Sequence, residues 1–255
     1  MPELCIEGVR VNSVALGATV ERIVSDCSKG SSFSVFTLNL DHVVKLQQNK
    51  EFNATYKAAR YVTADGFPIV WAGRLRGVDI ERVTGADLIE PLCAACEKSR
   101  IPVYLFGSSF RALAGSAKYL TRRFPGLEIV GVSAPKFGFD PGSTAAAEEA
   151  LRIAESGAGL CFVALGAPKQ ELFASAAMAL APKTAFVCIG AGLDYLAGEQ
   201  IRAPGWVQAV GAEWLWRLLS APGRLGRRYL KCLLVLPSLL WAVVNEPVGS
   251  VPGGG

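Results

Sequence analysis

The sequence has a single histidine, His42, and only two methionines in 255 residues. A Ser-His-Asp or Cys-His nucleophile would have to use that one imidazole, and no Gly-x-Ser-x-Gly elbow accompanies it. Histidine-rich metal sites are excluded on the same ground. There is no Walker A sequence, and GAGLDYLAG at Gly190–Gly198 does not match Gly-x-Gly-x-x-Gly spacing. No Asp-x-Asp occurs, which removes the most familiar metal-diphosphate clamp of nucleotide-sugar enzymes. Charged residues are scarce at 19% while hydrophobic residues reach 51%, a balance that excludes a disordered chain. The N-terminus, MPELCIEGVRVNS, lacks both a basic n-region and an apolar h-region, so a cytoplasmic location is expected.

The seven cysteines fit that expectation. Cys161 and Cys188 lie in apolar runs, where cysteine behaves as a small core hydrophobe. Cys93 and Cys96 form a Cys-x-x-Cys, but without a second pair or a histidine cluster the spacing reads as helix packing. The net charge of +4 is unevenly placed. Residues 1–199 carry 20 basic and 20 acidic side chains. Between Gln200 and Lys231 stand Arg202, Arg217, Arg224, Arg227, Arg228 and Lys231 against one acid, Glu213. The excess calls for an anionic partner, whether phosphate, nucleic acid or acidic lipid.

Several apolar runs read as strands buried on both faces: Phe33–Leu38, Val103–Phe106, Leu127–Val132, Leu160–Leu165 and Ala185–Ile189. Three of them run into glycine, at Gly107, Gly166 and Gly190. Between them lie helical patterns. Phe110, Leu113, Ala117, Leu120 and Phe124 recur at helical spacing behind a Ser108 or Ser109 cap. Asp87 with Glu90 reads as a capping box, and Ser143–Ser156 is a helix closed by Gly157. Alternating strands and helices predict an α/β fold, a mostly parallel sheet with helices on both faces.

The last fifth differs in kind. Trp206, Trp214, Trp216 and Trp241 all fall there, and Cys232–Val244 is an uncharged run interrupted by Pro237. It is shorter than the roughly 20 residues a spanning helix needs. Arginines beside Leu and Trp fit a surface-lying, membrane-contacting helical appendage; docking on the core or on a second copy of the chain is the plainer alternative. The expected division is a core at 1–199, an appendage at 200–247 and a disordered tail at 248–255.

The richest stretch is LCFVALGAPKQELF, Leu160–Phe173. A buried strand ends at Gly166, where a ligand can approach the backbone, and Pro168 suits the first turn of a following helix. Strand, glycine turn and helix start form an anion-binding place in α/β proteins. Gln170 and Glu171 would face the ligand from that first turn, unless they are ordinary first-turn residues. Lys169 would meet a phosphate or be solvated.

Four segments stand in order: TLNLDHVVKLQQN (Thr37–Asn49), ADGFPIVW (Ala64–Trp71) with RVTGADL (Arg82–Leu88), LGAPKQELF (Leu165–Phe173), and Ile201–Tyr229. Together they resemble the WecG/TagA/CpsF family of bacterial glycosyltransferases over about residues 5–230. The resemblance implies a Rossmann-like core with a C-terminal appendage at the membrane. It also implies inverting, metal-independent transfer of a hexose from a UDP-sugar to a sugar on undecaprenyl diphosphate. The product would be a β-linked lipid-disaccharide for exopolysaccharide or cell-wall polymer synthesis. Implied partners are the donor, the lipid-linked acceptor and the cytoplasmic membrane surface, with no nucleic acid and no cofactor or metal.

By the same resemblance Asp65 is the general base and Thr37 stands beside it in the catalytic set with Arg217, Arg224 and Arg227. The donor set is Asn39, Arg82, Gly107, Gly166, Pro168, Gln170, Glu171, Asp194 and Arg202. Read from the residues alone, Asp65-Gly66 is equally a turn pair. Thr37 and Asn39 are equally a helix cap, and the arginines equally a lipid-facing surface. Glu171, as a carboxylate near a nucleotide, would take ribose hydroxyls. The sequence departs from the family where Gln200-Ile201 precede Arg202, and in the long apolar run after Lys231. A nucleotide-dependent oxidoreductase and a non-catalytic membrane scaffold are the competing readings.

Overall fold

The computed structural model describes residues 4–13, 15–209, 211–220 and 222–245. Its centre is a six-stranded parallel sheet formed by β3 (Phe33–Leu38), β4 (Tyr61–Ala64), β5 (Val103–Gly107), β6 (Ile129–Ser133), β7 (Leu160–Ala164) and β8 (Ala185–Cys188). The spatial order is β4-β3-β8-β7-β5-β6. The apolar runs mark these strands because both faces are covered. Side chains alternate strictly between the two sides. Phe36, Tyr104, Phe106, Cys161, Val163, Phe186 and Cys188 enter one core, while Val35, Val103, Leu105, Phe162 and Val187 enter the other. β6 is one of the two edge strands and only half-buried, and it starts two residues later than its apolar run.

A small antiparallel hairpin, β1 (Leu4–Ile6) and β2 (Val9–Val11), precedes the sheet. Glu7 and Gly8 turn it with φ of 53° and 73°, the positive values a two-residue hairpin requires. Three-residue strands are too short to leave a periodic signal, and the hairpin was not legible in sequence.

One face of the sheet carries α1 (Leu16–Ser28), α5 (Gly85–Ser99), α6 (Phe110–Arg123) and α9 (Gly192–Leu196). Side chains of the opposite core come from α2 (Leu40–Gln48), α3 (Lys50–Lys57), α4 (Phe67–Leu75), α7 (Thr144–Glu155) and α8 (Lys169–Leu180). Of the two serines offered as a cap for α6, Ser109 is the one used, and Ser143 proves to be the N-cap of α7. The capping box at α5 is displaced from its expected place. Thr84 is the N-cap and Asp87 its N3 partner, so Asp87 caps from inside the first turn and Glu90 takes no part. Gly85 fits there because a Cβ would meet the Ile189 Cα at 2.6 Å. Cys93 and Cys96 are buried in the α5 core, where burial pushes the Cys96 thiol up to about 12.

The C-terminal elements are α10 (Gly205–Ala209), α11 (Glu213–Ser220) and α12 (Pro222–Asn245). Pro237 does not break α12. It sits on the exposed side of the helix, as does Leu233, whose carbonyl loses its i+4 donor there. Leu239 and Val243 of α12 join the core beneath α2 and α4, and Arg76 donates to the Val243 carbonyl at 3.2 Å. Leu230, Leu233, Leu234, Trp241 and Val244 remain exposed. Among the described residues no helix is long and apolar enough to cross a membrane. The tail expected to be disordered, 248–255, lies outside the described residues.

Candidate active site

In a parallel sheet, loops leaving the carboxyl ends of the strands enclose the ligand crevice. Here a cleft of about 550 Å³ opens at that edge and draws residues from beyond all six strands. Thr37 lies near the end of β3 and Asn39 just beyond it, Asp65 follows β4, and Ser108 follows β5. The Pro135–Phe139 loop follows β6; Gly166, Ala167, Lys169 and Gln170, but not Pro168, line the cleft after β7; and Gly190, Ala191 and Asp194 line it after β8.

Asp65 is held by local backbone chemistry. Its N–H donates to the Leu38 carbonyl at 2.8 Å, extending the β3–β4 pairing by one bond. Gly66 follows with φ 108°, so the chain turns away at once into α4 and leaves the carboxylate in the cleft. Asn39 Nδ2 donates to Asp65 Oδ2 at 3.2 Å, and Thr37 Oγ1 lies 3.5 Å from the same oxygen. Asn39 also caps α2, its Oδ1 accepting from the His42 N–H at 3.0 Å. Asn39 is therefore a helix cap that also reaches Asp65 in the cleft wall. Beneath them the His42 Nδ1 and the Tyr56 hydroxyl lie 2.7 and 2.8 Å from the Thr37 carbonyl, a buried support for the end of β3.

The β7 turn departs from expectation in two respects. Pro168 is the N-cap of α8, not a residue of its first turn; Lys169 takes that place. Gln170 and Glu171 face different surroundings. Gln170 reaches the cleft floor, where its Oε1 accepts from the Gly190 N–H at 3.0 Å. Glu171 is 0% exposed and points into the core, so it cannot take ribose hydroxyls. Successive helical residues point about 100° apart, so the two buried side chains reach different surroundings. Burial pushes the Glu171 carboxyl up to about 7, against the hydrogen bond from Gln170 and the charge of Lys45.

Asp194 lines the cleft. Its Oδ1 accepts from the Ser108 hydroxyl and its Oδ2 accepts from Gln200 Nε2 at 2.8 Å. Gln200 is thus a partner of Asp194 at the very place where the sequence departs from the family pattern. Ser108 takes φ 51°, a strained value for a side-chain-bearing residue that aims its hydroxyl at Asp194. Gly107 does not line the cleft; a Cβ there would meet the Ala164 carbonyl at 2.5 Å, so its role is strand approach.

Arg82 and Arg202 converge on acids of the protein. Arg202 Nη2 donates to Asp87 Oδ1 at 2.6 Å and to Thr84 Oγ1 at 3.2 Å, and its Nε lies 3.8 Å from Glu213. Arg82 stands 3.8 Å from both Asp87 and Glu213. Burial opposes ionisation of Asp87, yet the hydrogen bond and charge of Arg202 outweigh it and hold the carboxyl below its usual range. The network ties the start of α5 to α11. Neither arginine lines the polar cleft; Arg82 borders the neighbouring one.

That neighbour is a cleft of about 280 Å³ sharing Asn39, Asp65 and Glu213 with the first. Its other walls are Phe67, Pro68 and Trp71 of α4, Trp214 of α11, and Tyr229, Cys232, Leu233 and Leu236 of α12. Trp214 and Tyr229 pack with ring centroids 5.9 Å apart and planes inclined at 55°. The backbones of Arg217, Arg224 and Arg227 lie on α11 and α12; their side chains fall outside the described structure.

Asp65 therefore stands in a wall common to a polar and an apolar cleft. Residues 4–250 match the Glycosyl transferase WecG/TagA/CpsF family. The chain belongs to this family. It is a glycosyltransferase, and the match spans both clefts and the C-terminal helices that close the second. Sequence reasoning missed Ser108, the exposed Phe137 on the β6–α7 loop, Glu213, Trp214 and Tyr229, all of which line the two clefts. Ser108 had a signal, since it directly follows a strand-ending glycine. The others are joined by tertiary folding alone. Among the described residues no group of three His, Cys, Asp or Glu side chains could hold a metal ion.

Proposed function

We propose that the protein is an inverting, metal-independent transferase that moves a hexose from a UDP-sugar to a sugar on a polyprenyl diphosphate. The observation that carries this reading is the position of Asp65 between the two clefts. The donor takes the polar cleft: strand-end N–H groups and Lys169 suit phosphates, Asp194 suits ribose hydroxyls, and the exposed ring of Phe137 suits a planar base. The acceptor sugar enters from the aromatic cleft, whose Trp71, Trp214 and Leu233 walls suit a prenyl chain.

Between them Asp65 takes the proton of the attacking hydroxyl as it meets the anomeric carbon. A well-placed base of this kind contributes about 10²–10⁴-fold. Asn39 and Thr37 orient its Oδ2. Arg217, Arg224 and Arg227, on the helices that line the acceptor cleft, neutralise the departing diphosphate in place of a metal.

The membrane reading rests on α12. One side of that helix covers the core, yet the other still exposes Leu230, Leu234, Trp241 and Val244. A helix apolar on both sides seeks a second apolar medium. With the neighbouring basic residues this supports a peripheral seat on an anionic membrane face. UDP-glucose and UDP-N-acetylmannosamine, offered with a polyprenyl-diphosphate-sugar and read by product mass in EDTA, test the proposal. One added hexose on the lipid is expected. No transfer from any UDP-sugar, or strict dependence on divalent metal, would contradict it.

A further inference from the structure

A buried carboxyl with an empty side needs a reason. Glu171 lies wholly inside the protein, and its Oε2 has no hydrogen-bond partner among the described residues. An apolar side chain of the same size would fill the place without that desolvation cost. The other oxygen, Oε1, accepts from Gln170 Nε2 at 2.8 Å. Gln170 is itself buried, and its Oε1 accepts from the Gly190 N–H at 3.0 Å. Gly190 opens the turn, at φ 56°, that leads through Gly192 into α9 and Asp194.

The geometry points to Glu171 as a positioning residue for the donor cleft, fixing the Gln170 amide and through it the Gly190 turn that presents Asp194. A side-chain amide offers an acceptor on one side and donors on the other, and it can turn over. With Glu171 Oε1 on the donor side, only one orientation satisfies both ends. Turned over, the amide would set its N–H₂ against the Gly190 N–H and its oxygen against the Glu171 oxygen. The chain of bonds runs from the core to the cleft floor, and the functional consequence is the placement of Asp194. The upward push on the Glu171 carboxyl agrees, since a proton on Oε2 leaves Oε1 free to accept. Lys45 and Asp41 of α2, Tyr56 of α3 and Cys188 of β8 all act electrostatically on this pocket. This inference rests on the reading of the polar cleft as the donor site.

Calorimetric titration with UDP and amide exchange at Gly190 test it on the full-length protein. Glu171→Gln keeps an oxygen that can accept from Gln170 and should bind UDP within about twofold of the original. Glu171→Met fills the same space without an acceptor and should weaken UDP about tenfold, the size of one lost buried hydrogen bond, with faster Gly190 exchange. Should Glu171→Met fail to fold, Glu171→Asp, whose shorter arm withdraws the oxygen, takes its place with the same expectation. A folded Glu171→Met or Glu171→Asp with unchanged affinity and unchanged Gly190 exchange overturns the inference, as does equal loss in Glu171→Gln and Glu171→Met. If the unaltered protein does not bind UDP, the donor reading fails, and Gly190 exchange alone still decides the positioning role.

Discussion

The two clefts that share Asp65 are built by opposite means. The polar cleft is made at the ends of parallel strands, by turns whose shape the sheet dictates. The apolar cleft is made by helices from distant parts of the chain, α4 on one side and α11 with α12 on the other. The first offers backbone N–H groups and fixed polar side chains; the second offers aromatic rings and an opening toward exposed apolar surface. On the proposed function the contrast separates two tasks, holding a charged nucleotide and admitting a greasy carrier. Of the two carboxylates common to both clefts, Glu213 faces Arg82 and Arg202, whereas Asp65 is held by Asn39 and Thr37.

The largest effect should come from the shared wall. Asp65→Asn keeps the shape and hydrogen-bonding capacity but removes the base, so turnover should fall about 10²–10⁴-fold while UDP affinity stays within a few-fold. Single-turnover assays beside UDP calorimetry check this, and equal loss of both would make Asp65 a structural turn residue.

Next in size is a property of the polar side alone. The Glu171 carboxyl is raised from 4.5 to about 7 by burial. A carboxyl raised in the folded state lends stability that is full below about pH 4.5 and is lost as pH rises through about 7. The loss amounts to about 3 kcal/mol by pH 8. In Glu171→Gln this slope should vanish, so the difference in unfolding free energy between the two proteins should change by about that amount between pH 4.5 and 8. A pH-independent difference would place the carboxyl's ionisation outside the folding equilibrium.

A smaller effect is expected where the two clefts are tied together. Arg202→Met leaves Asp87 without its guanidinium partner, and unfolding free energy should drop by about 2 kcal/mol. Asp87→Asn in the same chain should recover part of the loss. Full additivity of the two changes in denaturant titrations would show that the pair is not coupled.

The sheet was legible because strands buried on both faces must be apolar throughout, as Leu160–Ala164 is. The cleft position of Asp65 was legible in part, since an aspartate before a glycine at a strand end stands at the mouth of the sheet, but the residues alone read equally as a turn pair. Glu171 was not. Its neighbour Gln170 shares the helix start, and nothing in the local sequence says which of the two borders the cleft. Arg202 with Asp87 was equally out of reach, because a pair 115 residues apart has no local signature. Pro237 misled in the other direction. Its exposed position inside α12 lets a helix continue that the sequence marks as interrupted.

The division of labour between the clefts is the central claim, and crossed steady-state kinetics test it most directly. Asp194→Asn alters the polar cleft and Trp214→Ala the apolar one. With UDP-sugar and polyprenyl-diphosphate-sugar varied independently, Asp194→Asn should raise the donor KM about tenfold and leave the acceptor KM alone. Trp214→Ala should do the reverse, with a larger effect for longer prenyl chains. Both variants raising the same KM, or Trp214→Ala acting only on the donor, would contradict the account.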